Sequence, residues 1–170
     1  MTQRLDYPAA APDAFKTMLG FERYFRGARS SIHSPLIDLI KVRASQINGC
    51  AYCVDMHWKD ARAEGETEER LYMLSVWRES SLYSARERAA LAWTEALTRL
   101  SQRPPTDAEF EEVRKEFNDQ ELADLTWAIG AINVWNRLGV AFLPPPGVYQ
   151  PPRRRRDEHA TAEAEQPAPH

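Results

Sequence analysis

Cys50, Cys53 and His57 stand in the spacing C-x-x-C-x-x-x-H, and the 170-residue chain contains no other cysteine. On a helix turning ~100° per residue, positions 50, 53 and 57 fall within an arc of about 60°. Two sulfurs and an imidazole therefore converge on one face. Residues i and i+3 of a helix have Cα atoms about 5 Å apart, within the range a disulfide tolerates. The pair is thus predicted to cycle between dithiol and disulfide without unfolding. Only the thiolate is a strong nucleophile, and two features favour it. The N-terminal helix dipole favours charge on Cys50, in the first turn, whereas His57, four residues beyond Cys53, can exchange a proton with that thiol. The first feature makes Cys50 the attacking sulfur and the second makes it Cys53. Two blander readings compete. A buried cysteine pair behaves as two small hydrophobes, and a structural zinc site wants four ligands. With two Cys and two His before residue 144, zinc would require Asp38 as a direct ligand.

The elements that must position these groups are helical. Apolar residues recur at helical spacing and no segment sustains a period of two. Phe15, Met18, Leu19, Tyr24 and Phe25 mark a first helix ending near Gly27. Ser34 and Pro35 read as an N-cap followed by proline at the first helical position. Asn48 is expected to cap the helix carrying the cysteines, and Gly65 to end it. Thr67 opens the next segment. Ser84 with Glu87 and Thr106 with Glu109 have the capping-box spacing, and Asn118 or Asp119 starts a last helix from Leu122 to about Phe142. An all-α bundle of about six or seven helices is the economical architecture. The last helix is apolar on nearly every side, so it is expected both to be central and to meet another subunit. Within it, Asn133, Asn136 and Arg137 border the site or an interface, with Asp124 or Asp38 as a partner for the arginine. Lys41 and Arg43 read as solvated charges, His33 as a loop residue, and the five tryptophans as packing or subunit contacts.

The segment LIDLIKVRASQINGCAYCVDMH, from Leu36 to His57, resembles the signature of the AhpD-like alkylhydroperoxidase branch of the carboxymuconolactone decarboxylase superfamily. The matching residues are Arg43, Ser45, Asn48, Cys50, Tyr52, Cys53 and His57, with Val42 where the pattern has leucine. The later run TWAIGAINVWNRLGVAF resembles the branch's C-terminal helix. The resemblance implies an AhpD-like helical bundle, a homo-oligomer (trimer or hexamer), Cys53 as the peroxidatic sulfur, Cys50 as the resolving one and His57 in a proton relay. The family's relay acid is a glutamate twelve residues before the first cysteine, and that position here is Asp38, shorter by one methylene. The implied activity is reduction of organic hydroperoxides or hydrogen peroxide by a dihydrolipoyl-type or thioredoxin-like dithiol. It needs no flavin, haem or metal. Decarboxylases share the superfamily, but that branch does not rely on such a cysteine pair. General thiol–disulfide exchange and a redox-sensing interaction module are the alternative readings.

Composition sets the remaining bounds. The chain is 43% hydrophobic with five Trp, enough for a core in a domain of this size. Lys plus Arg number 22 against 25 Asp plus Glu, a net charge of −3 that gives no case for nucleic-acid binding. No apolar run reaches the length of a membrane span, and the first residues have no signal-peptide core, so the expected location is cytoplasmic. Residues 1–143 are read as one domain and 144–170 as a disordered tail, because seven of the twelve prolines fall there. Its four arginines, Arg153 to Arg156, are balanced by Asp157, Glu158, Glu163 and Glu165.

Overall fold

A computed structural model describes residues 2–152, and among them there are eight α-helices, one 3₁₀ segment and no strand. The helices are α1 (Tyr7–Ala10), α2 (Pro12–Arg26), α3 (Leu36–Asn48), α4 (Ala51–Ala63), α5 (Glu68–Met73), α6 (Ala85–Thr98), α7 (Asp107–Arg114) and α8 (Asp119–Phe142), with the 3₁₀ segment Leu74–Glu79 between α5 and α6. The predicted capping boxes form: Ser84 with Glu87 heads α6 and Thr106 with Glu109 heads α7, and Asn118 with Glu121 does the same for α8. Each closes two otherwise unpaired backbone donors.

Two predicted starts are corrected. Pro35, not Ser34, occupies the N-cap position of α3, with no side-chain capping bond; Ser34 lies beside the Asp38 carboxyl instead. Asn48 does not cap α4. Gly49 takes the left-handed conformation, φ 67°, that ends α3, and this leaves Cys50 as the N-cap of α4. The short helix α1, capped by Asp6 at the Ala9 amide (3.2 Å), has too few residues to show a periodicity in the sequence.

Helix α3 is buried on two sides. Leu36, Ile37 and Ile40 join a core with Phe25, Leu125 and Ile129, while Leu39 and Val42 join a second one with Leu71, Leu74, Trp77 and Leu91. Each fully buried side chain of this kind contributes about 1.5–3 kcal/mol. Helix α8 contacts α2, α3, α4, α6 and α7, in keeping with a central position, yet Trp127, Val134 and Val140 are exposed on it. The segment expected to be tail begins with contacts to α4: the Gly147 amide donates to Asp55 (2.9 Å) and the Tyr149 hydroxyl to Asp60 (2.6 Å). Residues 153–170, with the four arginines, lie outside the described residues. No described helix is long and apolar enough to cross a membrane.

Candidate active site

The start of α4 brings the cysteines together. With Cys50 at the N-cap and Cys53 in the first turn, their Cα atoms are 5.3 Å apart and their sulfurs are joined in a disulfide. The Cys53 amide points at Cys50 Sγ (3.3 Å), so the positive end of the helix acts on both sulfurs. Opposite them, α8 runs so close that a Cβ on Gly139 would stand 2.5 Å from Cys50 Sγ and 3.2 Å from Cys53 Sγ. Only a glycine fits there. Of the two glycines in α8 it is Gly139 that makes this approach, since a Cβ on Gly130 would meet nothing within 4 Å.

Cys53 and His57 line one cavity of about 650 Å³, walled by Tyr7, Phe15, Leu19, Tyr52, Met56, Trp135 and Tyr149. Cys50 faces a separate, shallower groove with Val54, Trp58 and Lys59. The disulfide therefore stands between two depressions, one sulfur lining each. Tyr52 shapes the cavity, and among the tryptophans Trp135 is a wall of it as well as a packing residue.

Asp38 is buried but does not line the cavity. The carboxylate that does is Glu22, on α2, a residue with no motif around it in the sequence. Glu22 Oε2 accepts from Lys41 Nζ at 2.5 Å and Oε1 from the Trp135 indole at 3.0 Å. Lys41, expected to be solvated, is only 2% exposed, because α2 and α8 close over it with this carboxylate as its counter-ion. Burial alone would raise the Glu22 carboxyl, but Lys41, His57 and the Trp135 N–H outweigh it and hold the group below its ordinary value.

Burial dominates His57 and pushes its pKa below the ordinary 6.5. Lys41 adds to that, while the Asp60 and Glu22 carboxylates oppose it. Its Nδ1 lies 3.7 Å from Asp60 Oδ2, an electrostatic contact too long for a hydrogen bond. The imidazole is therefore neutral near pH 7 and able to take a proton. Asp38 moves the other way: burial raises its carboxyl, with Ser34, Lys41 and His57 opposing and Asp60 adding. Among the described residues, His57 Nδ1 and Asp38 Oδ2 are the buried side-chain nitrogen and oxygen without a hydrogen-bond partner. The same residues contain no cluster of three or more His, Cys, Asp or Glu arranged to hold a metal ion.

The remaining signature residues hold the scaffold. Asn48 donates to Asn133 (3.0 Å) and Asn136 (2.9 Å), and Asn136 donates to Ser45 (2.9 Å), which ties the end of α3 to α8. Arg43 is not solvated: it pairs with buried Glu95 at 2.7 Å. Arg137 is exposed and bonds to the Asn133 carbonyl (2.8 Å), not to Asp124 or Asp38. Asp124 is taken instead by Tyr24 and Ser31. His33 lies exposed in the loop between α2 and α3, as expected.

A helical bundle with a C-x-x-C pair at a helix start defines the class, and comparison with known proteins agrees. The carboxymuconolactone decarboxylase family pattern matches residues 12–96. The uncharacterized protein YdfG of Bacillus subtilis is 42% identical over 142 residues, 84% of this chain and 95% of that protein. The uncharacterized YnjA of Escherichia coli is 30% identical over 147 residues, 85% of this chain and 79% of that one. A crystal structure of a protein of unknown function from Agrobacterium tumefaciens, proposed there as an antioxidant defence protein AhpD, superposes with a TM-score of 0.82 at 43% identity, over 87% of this chain and 100% of the other. The chain belongs to the carboxymuconolactone decarboxylase family, in its AhpD-like branch.

Proposed function

We propose that the protein is a cytoplasmic thiol peroxidase that reduces organic hydroperoxides or hydrogen peroxide through a Cys50/Cys53 dithiol–disulfide cycle. The observation that carries this reading is the placement of Cys53 and neutral, buried His57 on one largely apolar cavity, with Cys50 bonded to Cys53 from the other side. His57 takes the Cys53 thiol proton. The thiolate attacks the terminal peroxide oxygen, an S–O bond forms as the O–O bond breaks, and the departing alkoxide leaves as the alcohol with the proton from His57. Cys50 then attacks the Cys53 sulfenic acid; the S–S bond forms and hydroxide leaves as water with the Cys50 proton. A dihydrolipoyl-type or thioredoxin-like dithiol returns two electrons by exchange through a mixed disulfide, and the open groove at Cys50 is the side from which it approaches. Asp38 acts on His57 through its charge. The exposed Trp127 and Val134 of α8, seven residues apart on one side of the helix, are the face by which the chain forms a homo-oligomer.

The test is peroxide consumption with a dithiol donor. The proposal expects saturable turnover in the wild type, none in Cys53→Ser, and a single turnover at most in Cys50→Ser. Disulfide formation without turnover would overturn it in favour of thiol–disulfide exchange or redox sensing. Multiple turnovers in Cys50→Ser would overturn the resolving role.

A further inference from the structure

The wall that α2 gives to the cavity is itself amphipathic. Phe15, Leu19, Glu22, Arg23 and Arg26 line it at positions i, i+4, i+7, i+8 and i+11, one face of the helix. The first two are apolar and the last three charged, and the distance along the axis from Phe15 to Arg23 is about 12 Å. Two of the three charges are already matched. Glu22 is held by Lys41 at 2.5 Å, and Arg26 by Asp60 at 3.3 Å. Arg23 is exposed and makes no ion pair among the described residues. A cavity with an apolar length, a thiol and one unmatched guanidinium is complementary to a ligand carrying an apolar chain and one carboxylate.

Building on the peroxidase reading, we infer that the preferred substrates are amphipathic carboxylate hydroperoxides of the fatty-acid hydroperoxide class. The apolar chain lies along Phe15 and Leu19, the hydroperoxyl group meets Cys53, and the carboxylate is held by Arg23. The chemistry at Cys53 is unchanged. Arg23 is a specificity residue that distinguishes a free acid from its ester.

Two measurements test this. Isothermal titration of the oxidised protein with decanoate and with 1-decanol is expected to give about tenfold tighter binding of the anion, and Arg23→Gln removes that difference whereas Arg23→Lys keeps part of it. In steady-state assays the ratio of kcat/KM for linoleic acid hydroperoxide to that for its methyl ester is expected to fall about tenfold in Arg23→Gln, through KM. Equal binding of decanoate and decanol by the wild type, or an unchanged acid-to-ester ratio in Arg23→Gln, overturns the inference. The two readings fail separately. Turnover of tert-butyl hydroperoxide without acid-to-ester discrimination leaves the peroxidase and removes the carboxylate site. Decanoate binding through Arg23 without reduction of any hydroperoxide leaves the site and removes the peroxidase.

Discussion

Gly139 of α8 and Cys50 at the N-cap of α4 approach so closely that a single added methyl group would stand 2.5 Å from the cysteine sulfur. Alanine elsewhere in a helix stabilises relative to glycine by up to about 1 kcal/mol. At position 139 the sign reverses. Gly139→Ala is expected to destabilise the oxidised protein by about 1–3 kcal/mol. The reduced protein loses less, because a free Cys50 thiol can rotate away. Gly130→Ala, where nothing lies within 4 Å of the new Cβ, is the control and is expected to be neutral or stabilising. Urea melts of both variants with and without reductant check this.

The Glu22–Lys41 pair is buried, with side-chain exposures of 16% and 3%. Removing one member leaves the other charge unpaired in a poorly solvated site. Glu22→Gln is expected to cost about 3–5 kcal/mol, and the double variant Glu22→Gln/Lys41→Met to recover most of it. Additive losses in the double-mutant cycle would show that the two residues are not coupled.

The lowered pKa of His57 has two consequences. Its imidazole is neutral above the lowered value, so peroxide reactivity is expected to fall only once pH drops below 6.5. In the unfolded chain the same group binds its proton first. Stability is therefore lost as pH falls below 6.5 and the loss is complete below the folded value. His57→Gln is expected to flatten that slope between neutral and mildly acid pH, read by chemical denaturation across a pH series.

Asp38 has the opposite sign. Its folded carboxyl is raised above the ordinary 3.8, so burial of the ionised form penalises folding at neutral pH and the penalty vanishes below 3.8. Asp38→Asn is expected to raise the midpoint of unfolding at pH 7 and to leave it unchanged at pH 3. If the charge also supports His57, the same variant lowers the rate of peroxide consumption. A gain in stability with an intact rate and pH profile would remove Asp38 from the relay.

Ending the chain after Leu143 removes Tyr149 from the cavity wall and frees Asp60 from its hydroxyl, 2.6 Å away. KM for a bulky hydroperoxide is expected to rise while that for hydrogen peroxide changes little. Steady-state assays with the two substrates separate the effects.

What the sequence made legible was local. Cys50, Cys53 and His57 lie within eight consecutive residues, so helical periodicity alone places them together, and the capping boxes of α6 and α7 span four residues each. What it hid was pairing across helices. Lys41 looks solvated until α2 supplies Glu22, 19 residues earlier, and Glu22 looks ordinary until Trp135, 113 residues later, reaches it. Asn48 is of a type that suits a cap. Gly49 took the chain out of α3 first, and the amide was left to Asn133 and Asn136. The central role of α8 followed from its composition, but the closeness of Gly139 to the sulfurs depends on how two helices cross.

The family pattern spans residues 12–96 and holds both sulfurs, the imidazole and the α2 stripe, whereas Tyr7, Pro8, Trp135, Gly139 and Tyr149 stand outside it on the same cavity. The redox pair thus lies wholly inside that span, whereas the cavity wall is drawn from both sides of its boundary. A relative can inherit the redox pair intact and still have a differently shaped cavity by changing only its two ends. Kinship in this family is accordingly a closer guide to the cysteine pair than to the space in front of it.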